Sequence, residues 1–186
     1  MRVKRIEEKE VDTLKVGDVI EFEMMDGEKV KAMAMKQEGD CMIMCFVDCL
    51  EKEYRMNPTA TNEGGWEATE LRENLNHEIL YKFPETIHAF MVPFDNGDLL
   101  TIPSEEDLFG EDRWEPMKDR RNRICDRGQQ EEYEWYWLRD VVSAAYFADV
   151  HRRRWRGLPQ RFHLLWCPPC FQNPQSLIST LYGCAP

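Results

Sequence analysis

No run of apolar residues in this chain approaches the ~20 that a membrane-spanning helix needs. The segment from Met1 to Glu10 is charged where a signal peptide would be apolar. Together these absences predict a soluble, cytoplasmic protein with no membrane partner. Catalytic signatures are missing too: there is no G-x-S-x-G elbow, no phosphate loop and no dinucleotide fingerprint. The four histidines, His77, His88, His151 and His163, fall on separate stretches and form no H-x-x-x-H pair. Acid is missing from the end of the chain. All 35 Asp and Glu lie in residues 1–150 with 19 of the 24 Lys and Arg, while residues 151–186 hold five Arg and no Lys.

Cysteine is too irregular for a disulfide framework, with seven residues and no paired spacing. Cys41, Cys45 and Cys49 recur every four residues, but in a stretch that reads as strand, where they share no helix face. They read as buried or half-buried thiols in a reducing compartment. A net charge of −11 argues against broad binding to nucleic acid, whose affinity comes from clustered Lys and Arg. What is present suits a folded domain: 42% apolar and 32% charged residues place the chain outside the disordered class. A chain of 186 residues can bury roughly 70% of its unfolded surface.

Residues 1–150 read as one α+β domain, mainly antiparallel sheet with one principal helix and short helices. Residues 14–50 form a β meander in this reading. Val19 to Met24 partly alternates apolar and acidic side chains, as a strand with one wet face does. Asp26-Gly27 is a tight-hairpin dipeptide, and Val30 to Met35 is the return strand. Met42 to Val47 is apolar on both faces and so reads as a central strand. After a loop from Asn57 to Gly65, Leu71, Leu75 and Ile79 fall on one stripe of a helix spanning Trp66–Leu80. Pro84 ends that helix or begins a short one over residues 85–91. Leu99 to Ile102 reads as a strand, Ser104 as a helix start with acids in its first turn, and 135–139 and 146–150 as strands. Residues 151–186, with half of the ten prolines and three of the cysteines, form an atypical basic tail.

The candidate chemistry is thin. Cys167-Pro168-Pro169-Cys170 is a C-x-x-C, but no βαβ pattern surrounds it, and its only companions, Cys184 and His163, match no common zinc spacing. The expectation is therefore no metal, no redox pair and no cofactor. Glu105-Glu106-Asp107 and Glu131-Glu132 read as solvated acidic faces, because acid–base work needs two carboxylates in different environments. Lys118-Asp119-Arg120-Arg121-Asn122-Arg123 is the strongest basic run in the body, and nearby acids make local ion pairing its default reading over a phosphate site. Among Tyr133, Trp135, Tyr136 and Trp137, strand alternation puts the two Trp on one face, as core rather than a stacking platform. Arg152, Arg153, Arg154 and Arg156 would make salt-sensitive nucleic-acid contacts only if the tail were an interaction arm.

Asn62 to Ala68, with Gly64-Gly65-Trp66, is followed by Leu71-Arg72 and Leu75-Asn76. Further on come Lys118 to Arg123 and Trp137-Leu138-Arg139. In that order these motifs resemble a domain-of-unknown-function family of gut bacteria and their phages, over about residues 14–150. That family closes on a Gly-Val-Arg-Pro-Ala-Phe strand, which is absent here, and often has Ser where this chain has Asp140. The resemblance implies a C-type-lectin-like or formylglycine-generating-enzyme-like fold. It implies no catalytic residues, and a non-enzymatic binding or display module, phage- or mobile-element-associated, with a protein or carbohydrate ligand. Trp66, Leu71, Arg72, Asn76, Arg123, Trp137, Leu138 and Arg139 are then structural. The alternative is an enzyme of formylglycine-generating type or an unknown hydrolase; the formylglycine-type oxidase would need thiols such as Cys125 to hold copper.

The absent motif has a codon-level explanation. Trp166-Cys167-Pro168-Pro169-Cys170-Phe171, read one nucleotide later, forces Gly and then permits Val, Arg, Pro, Ala and Phe. The same shift turns arginine CGN codons into codons for Asp, Gly, Ala or Val. The expectation is a tail translated out of frame from about His151, leaving the sheet without its closing pairing and with an open edge.

Overall fold

The computed structural model describes residues 14–50, 52–59, 61–124, 136–143, 146–150, 161–162 and 165–166. Strand β1 (Val19–Glu23) turns through Asp26-Gly27 into β2 (Lys29–Glu38), which turns through Gly39 into β3 (Cys41–Phe46). Gly27 has φ 90°, the left-handed conformation that a side chain would strain, and its N–H donates to Met24 O at 2.9 Å. Both pairings are antiparallel. The meander thus follows from an alternating strand, a two-residue turn signal and a strand with no polar face.

Because β3 is apolar throughout, the sheet carries a core on each side. Phe22, Val30, Ala32, Met42, Met44 and Phe46 pack on one side with the main helical segment. Met35, Ile43, Cys45 and Cys49 pack on the other with Leu108, Trp114, Met117, Tyr136 and Leu138. The β2–β3 register shifts between Ala34 and Lys36, so Met35 is the extra residue of a bulge, and it points into the second core. Phe83 joins Phe22 and Phe46 in an aromatic cluster with centroid separations of 5.9 Å to each.

The principal helix runs from α1 (Glu70–Asn74) through a π-helical turn at Leu75–Ile79 to a 3-10 turn at Leu80–Lys82. Leu71, Leu75 and Ile79 are fully buried, as their spacing predicts. Its start differs from expectation. Thr69 is extended (φ −80°, ψ 144°), so Trp66–Ala68 is a separate 3-10 turn and the helix begins at Glu70. The reason is a cap: Thr69 Oγ1 accepts from Arg72 N at 3.2 Å and donates to Trp66 O at 2.9 Å. Phe83 is extended before Pro84, which opens α2 (Glu85–His88), shorter than the 85–91 expected.

Beyond it, β4 (Leu100–Thr101) precedes α3 (Glu105–Phe109), whose Ser104 and Asp107 form a reciprocal capping box. Two 3-10 turns follow, Glu115–Lys118 and Arg120–Arg123. Strands β5 (Tyr136–Ser143) and β6 (Tyr146–Val150) pair antiparallel, and β7 (Arg161–Phe162) lies parallel to β5. Finally β8 (Leu165–Trp166) lies between β3 and β4, antiparallel to both, in the order β1-β2-β3-β8-β4. The chain is therefore an α+β protein with a mainly antiparallel sheet. The expectation of a missing pairing beyond β3 is corrected, because the dipeptide Leu165-Trp166 supplies the backbone partners that join β3 to β4. Residues 151–160 and 167–186, with Arg152 to Arg154, Arg156, Cys167, Cys170 and Cys184, lie outside the described residues, as do Cys125, Glu131, Glu132, Tyr133, Trp135 and His163.

Candidate functional site

The motif residues are engaged in holding elements together. Trp66 is buried in the first core, and its indole N–H has no acceptor. Arg72 donates from Nε to Asp98 Oδ2 at 2.5 Å and from Nη1 to Glu67 O at 2.7 Å, tying the helix start to the turn before β4. Asn96 completes this knot, donating to Asp98 Oδ2 at 2.8 Å and Glu67 Oε1 at 3.2 Å. The bond from Arg72 to Asp98 raises the already high pKa of the guanidinium, so the pair stays charged.

Asn76 substitutes for a neighbouring strand. Its Oδ1 accepts from Leu99 N at 2.9 Å and Leu100 N at 3.0 Å, and its Nδ2 donates to Leu100 O at 2.9 Å and Arg72 O at 3.1 Å. Leu71 and Leu138 are buried, in opposite cores. Trp137 packs on the first core and donates from Nε1 to Tyr54 O at 3.2 Å, while Tyr136 lies in the second, as strand alternation requires. Arg139 bridges β5 to α3, donating to Ile102 O at 3.1 Å and Asp107 Oδ2 at 3.0 Å. Asp140, the departure from the resembled family, accepts from Glu105 N at 2.5 Å at the start of α3.

The basic run is largely paired locally. Arg121 donates to both oxygens of Asp119, and these bonds hold the Asp119 carboxyl down at about 2. Lys118 pairs with Glu115. Arg123 is different: its guanidinium lies 5.1 Å over the Phe109 ring, and no carboxylate meets it among the described residues.

Beside the β1–β2 turn a groove of about 660 Å³ opens. Lys29, Lys31, Lys52 and Lys82 line it. Glu21, Asp26, Glu28 and Asp48 line it as well. Lys31 meets its cross-strand partner Glu21 at 3.7 Å, and Lys82 meets Asp26 at 3.1 Å. Burial is the largest single influence and would raise Asp26, but the bond and charge of Lys82 together with backbone N–H groups outweigh it, and the carboxyl sits below its ordinary value. Lys52 bridges to Glu78 at 3.0 Å over the Tyr54 ring, and its hydrogen bond holds Glu78 low. Burial raises the Tyr54 hydroxyl. No Tyr, Trp or Asn lines this groove, so it offers no sugar-stacking platform.

Cys45 and Cys49 are buried and Cys41 is half-buried; no group of three metal-ligating side chains converges among the described residues. His77 is exposed on the helix and His88 half-buried on α2. No described helix is long and apolar enough to cross a membrane. Sequence reading missed Asp98, Arg113 and the groove, because their partners come from segments far apart in the chain and no spacing betrays them. No protein-family model, curated protein or solved structure matches this chain.

Proposed function

We propose that the protein is a non-enzymatic binding or display module, phage- or mobile-element-associated as the motif resemblance implies, whose charged groove takes a polypeptide segment bearing both signs of charge. The carrying observation is the groove itself, lined by four lysines and four carboxylates. Its Lys31–Glu21 pair is more than half exposed on both sides. Exposed pairs of this kind are worth about 0–1 kcal/mol, so a ligand's charges can replace them at small cost. The mainly charged lining, without an aromatic or amide side chain, favours a peptide over a carbohydrate. A C-type-lectin-like arrangement is the fold reading that accompanies this proposal, and the antiparallel sheet backed by one principal helix is compatible with it.

The test is an array of mixed-charge peptides probed with the full chain and with a Lys29→Glu, Lys31→Glu double variant, both sites being exposed. Peptides with alternating charge should bind the parent in a salt-sensitive way and lose binding to the variant. Equal binding by the two proteins would overturn the groove as the site.

A further inference from the structure

Arg113 and Arg123 both contact the Phe109–Gly110 end of α3. Arg113 Nη1 donates to Gly110 O at 2.9 Å, and the Arg123 guanidinium lies 5.1 Å over Phe109, the residue next to that glycine. Both arginines are half-buried, and among the described residues neither has an ion-pair partner, on a chain whose net charge is −11. Each also keeps a buried Nε with no acceptor. A buried donor left unpaired costs about 1–3 kcal/mol, so two in one place call for an explanation. Arg113 has a partial structural role, since it satisfies a carbonyl just past the end of α3. That uses one of five N–H groups on a side chain whose fork matches an oxyanion. Within the run, Lys118 and Arg121 are neutralised by Glu115 and Asp119. Arg120, which is exposed, and Arg123 meet no carboxylate among the described residues, and of these it is Arg123 that lies with Arg113 at the Phe109–Gly110 end of α3.

We propose that this end of α3 is an oxyanion-binding site, in which Arg113 and Arg123 together hold a carboxylate or phosphate group, with the exposed part of Phe109 contacting whatever carries it. The site is separate from the groove, which lies at the β1–β2 turn. It adds a second, purely anionic specificity to the module. Charge-assisted bonds from two guanidiniums to one anion are the strong class of hydrogen bond, and the low charge-to-partner ratio here leaves both available.

The experiment follows the arginine Nε–Hε resonances of the full-length protein while inorganic phosphate, and in a second arm acetate, is added at constant ionic strength. Two Nε–Hε signals should shift and saturate together in at least one arm, and the arm that does so names the anion. Arg113→Gln and Arg123→Gln should each weaken binding about tenfold or more. Arg123→Lys, which keeps the charge but not the fork, should weaken it as well, and provides the reading if a Gln variant fails to fold. Arg121→Gln should change nothing. Shifts that never saturate in either arm, or an Arg121→Gln effect equal to that of Arg123→Gln, would overturn the proposal.

Discussion

Asn76 shows how much one side chain carries here. Its amide closes four hydrogen bonds, two of them from the backbone N–H groups of Leu99 and Leu100. Leu100 is fully buried, so no water replaces what the amide provides. Asn76→Ala should lower unfolding free energy by about 2–4 kcal/mol, the cost of leaving two such donors unpaired, read as a fall in the urea midpoint. Asn76→Asp keeps the acceptor and loses both donations, so it should fall between the two. A second residue-scale test concerns pH. The hydrogen bond from Lys52 depresses the Glu78 carboxyl, so its stabilisation is present above the ordinary glutamate range and is lost as pH falls through the depressed value. Lys52→Gln should therefore be less stable than the parent at neutral pH. The two stability curves should converge in acid, and carboxyl NMR should show the Glu78 titration moving up in the variant. A constant offset down to the most acidic pH would contradict the pairing.

At the scale of elements, the sequence was readable where one local signal decided the structure. Asp26-Gly27 dictated its turn, the two apolar faces of Met42 to Val47 put β3 in the middle of the sheet, and the Leu71, Leu75, Ile79 spacing gave a buried stripe. It was less readable where two signals competed. Trp66 and Glu67 looked like the first helical turn, but the Thr69 cap wins and sets the start at Glu70. The π-turn at Leu75–Ile79 leaves no sequence mark, although Asn76, the residue that grips β4, lies within it. Nor could any window show that Arg72 would find Asp98, or that Arg123 of the Lys118 to Arg123 run would lie over the Phe109 ring, since those outcomes depend on tertiary placement. The stripe yields a direct test: Leu75 is fully buried between helix and sheet, so Leu75→Ala should cost about 2–5 kcal/mol. A loss under 1 kcal/mol would mean that the helix does not pack as described.

At the scale of the whole molecule, the sheet depends on a piece of chain from beyond the compositional break. Strand β8 is the backbone link between β3 and β4, and it consists of Leu165 and Trp166 alone. That is where the one-nucleotide shift begins to write Gly-Val-Arg-Pro-Ala-Phe, since the forced Gly comes from the Trp166 codon. The shifted chain would therefore bring its closing strand to the same distance from β5, and so within reach of the same slot between β3 and β4. A two-residue strand offers few hydrogen bonds, whereas the six-residue motif could pair further along β3. Two outcomes follow. The coding DNA should contain a single inserted or lost base near codon 150 whose correction opens a frame through Gly-Val-Arg-Pro-Ala-Phe. The protein made from the corrected gene should unfold at higher urea than the chain described here, because its sheet closes over a longer edge. Truncation of either version after Val150 removes β8, exposes the β3 edge and should drive association visible by light scattering. A gene in which no single-base shift restores that frame would rule out the reading, and β8 would then be the native closure of this sheet.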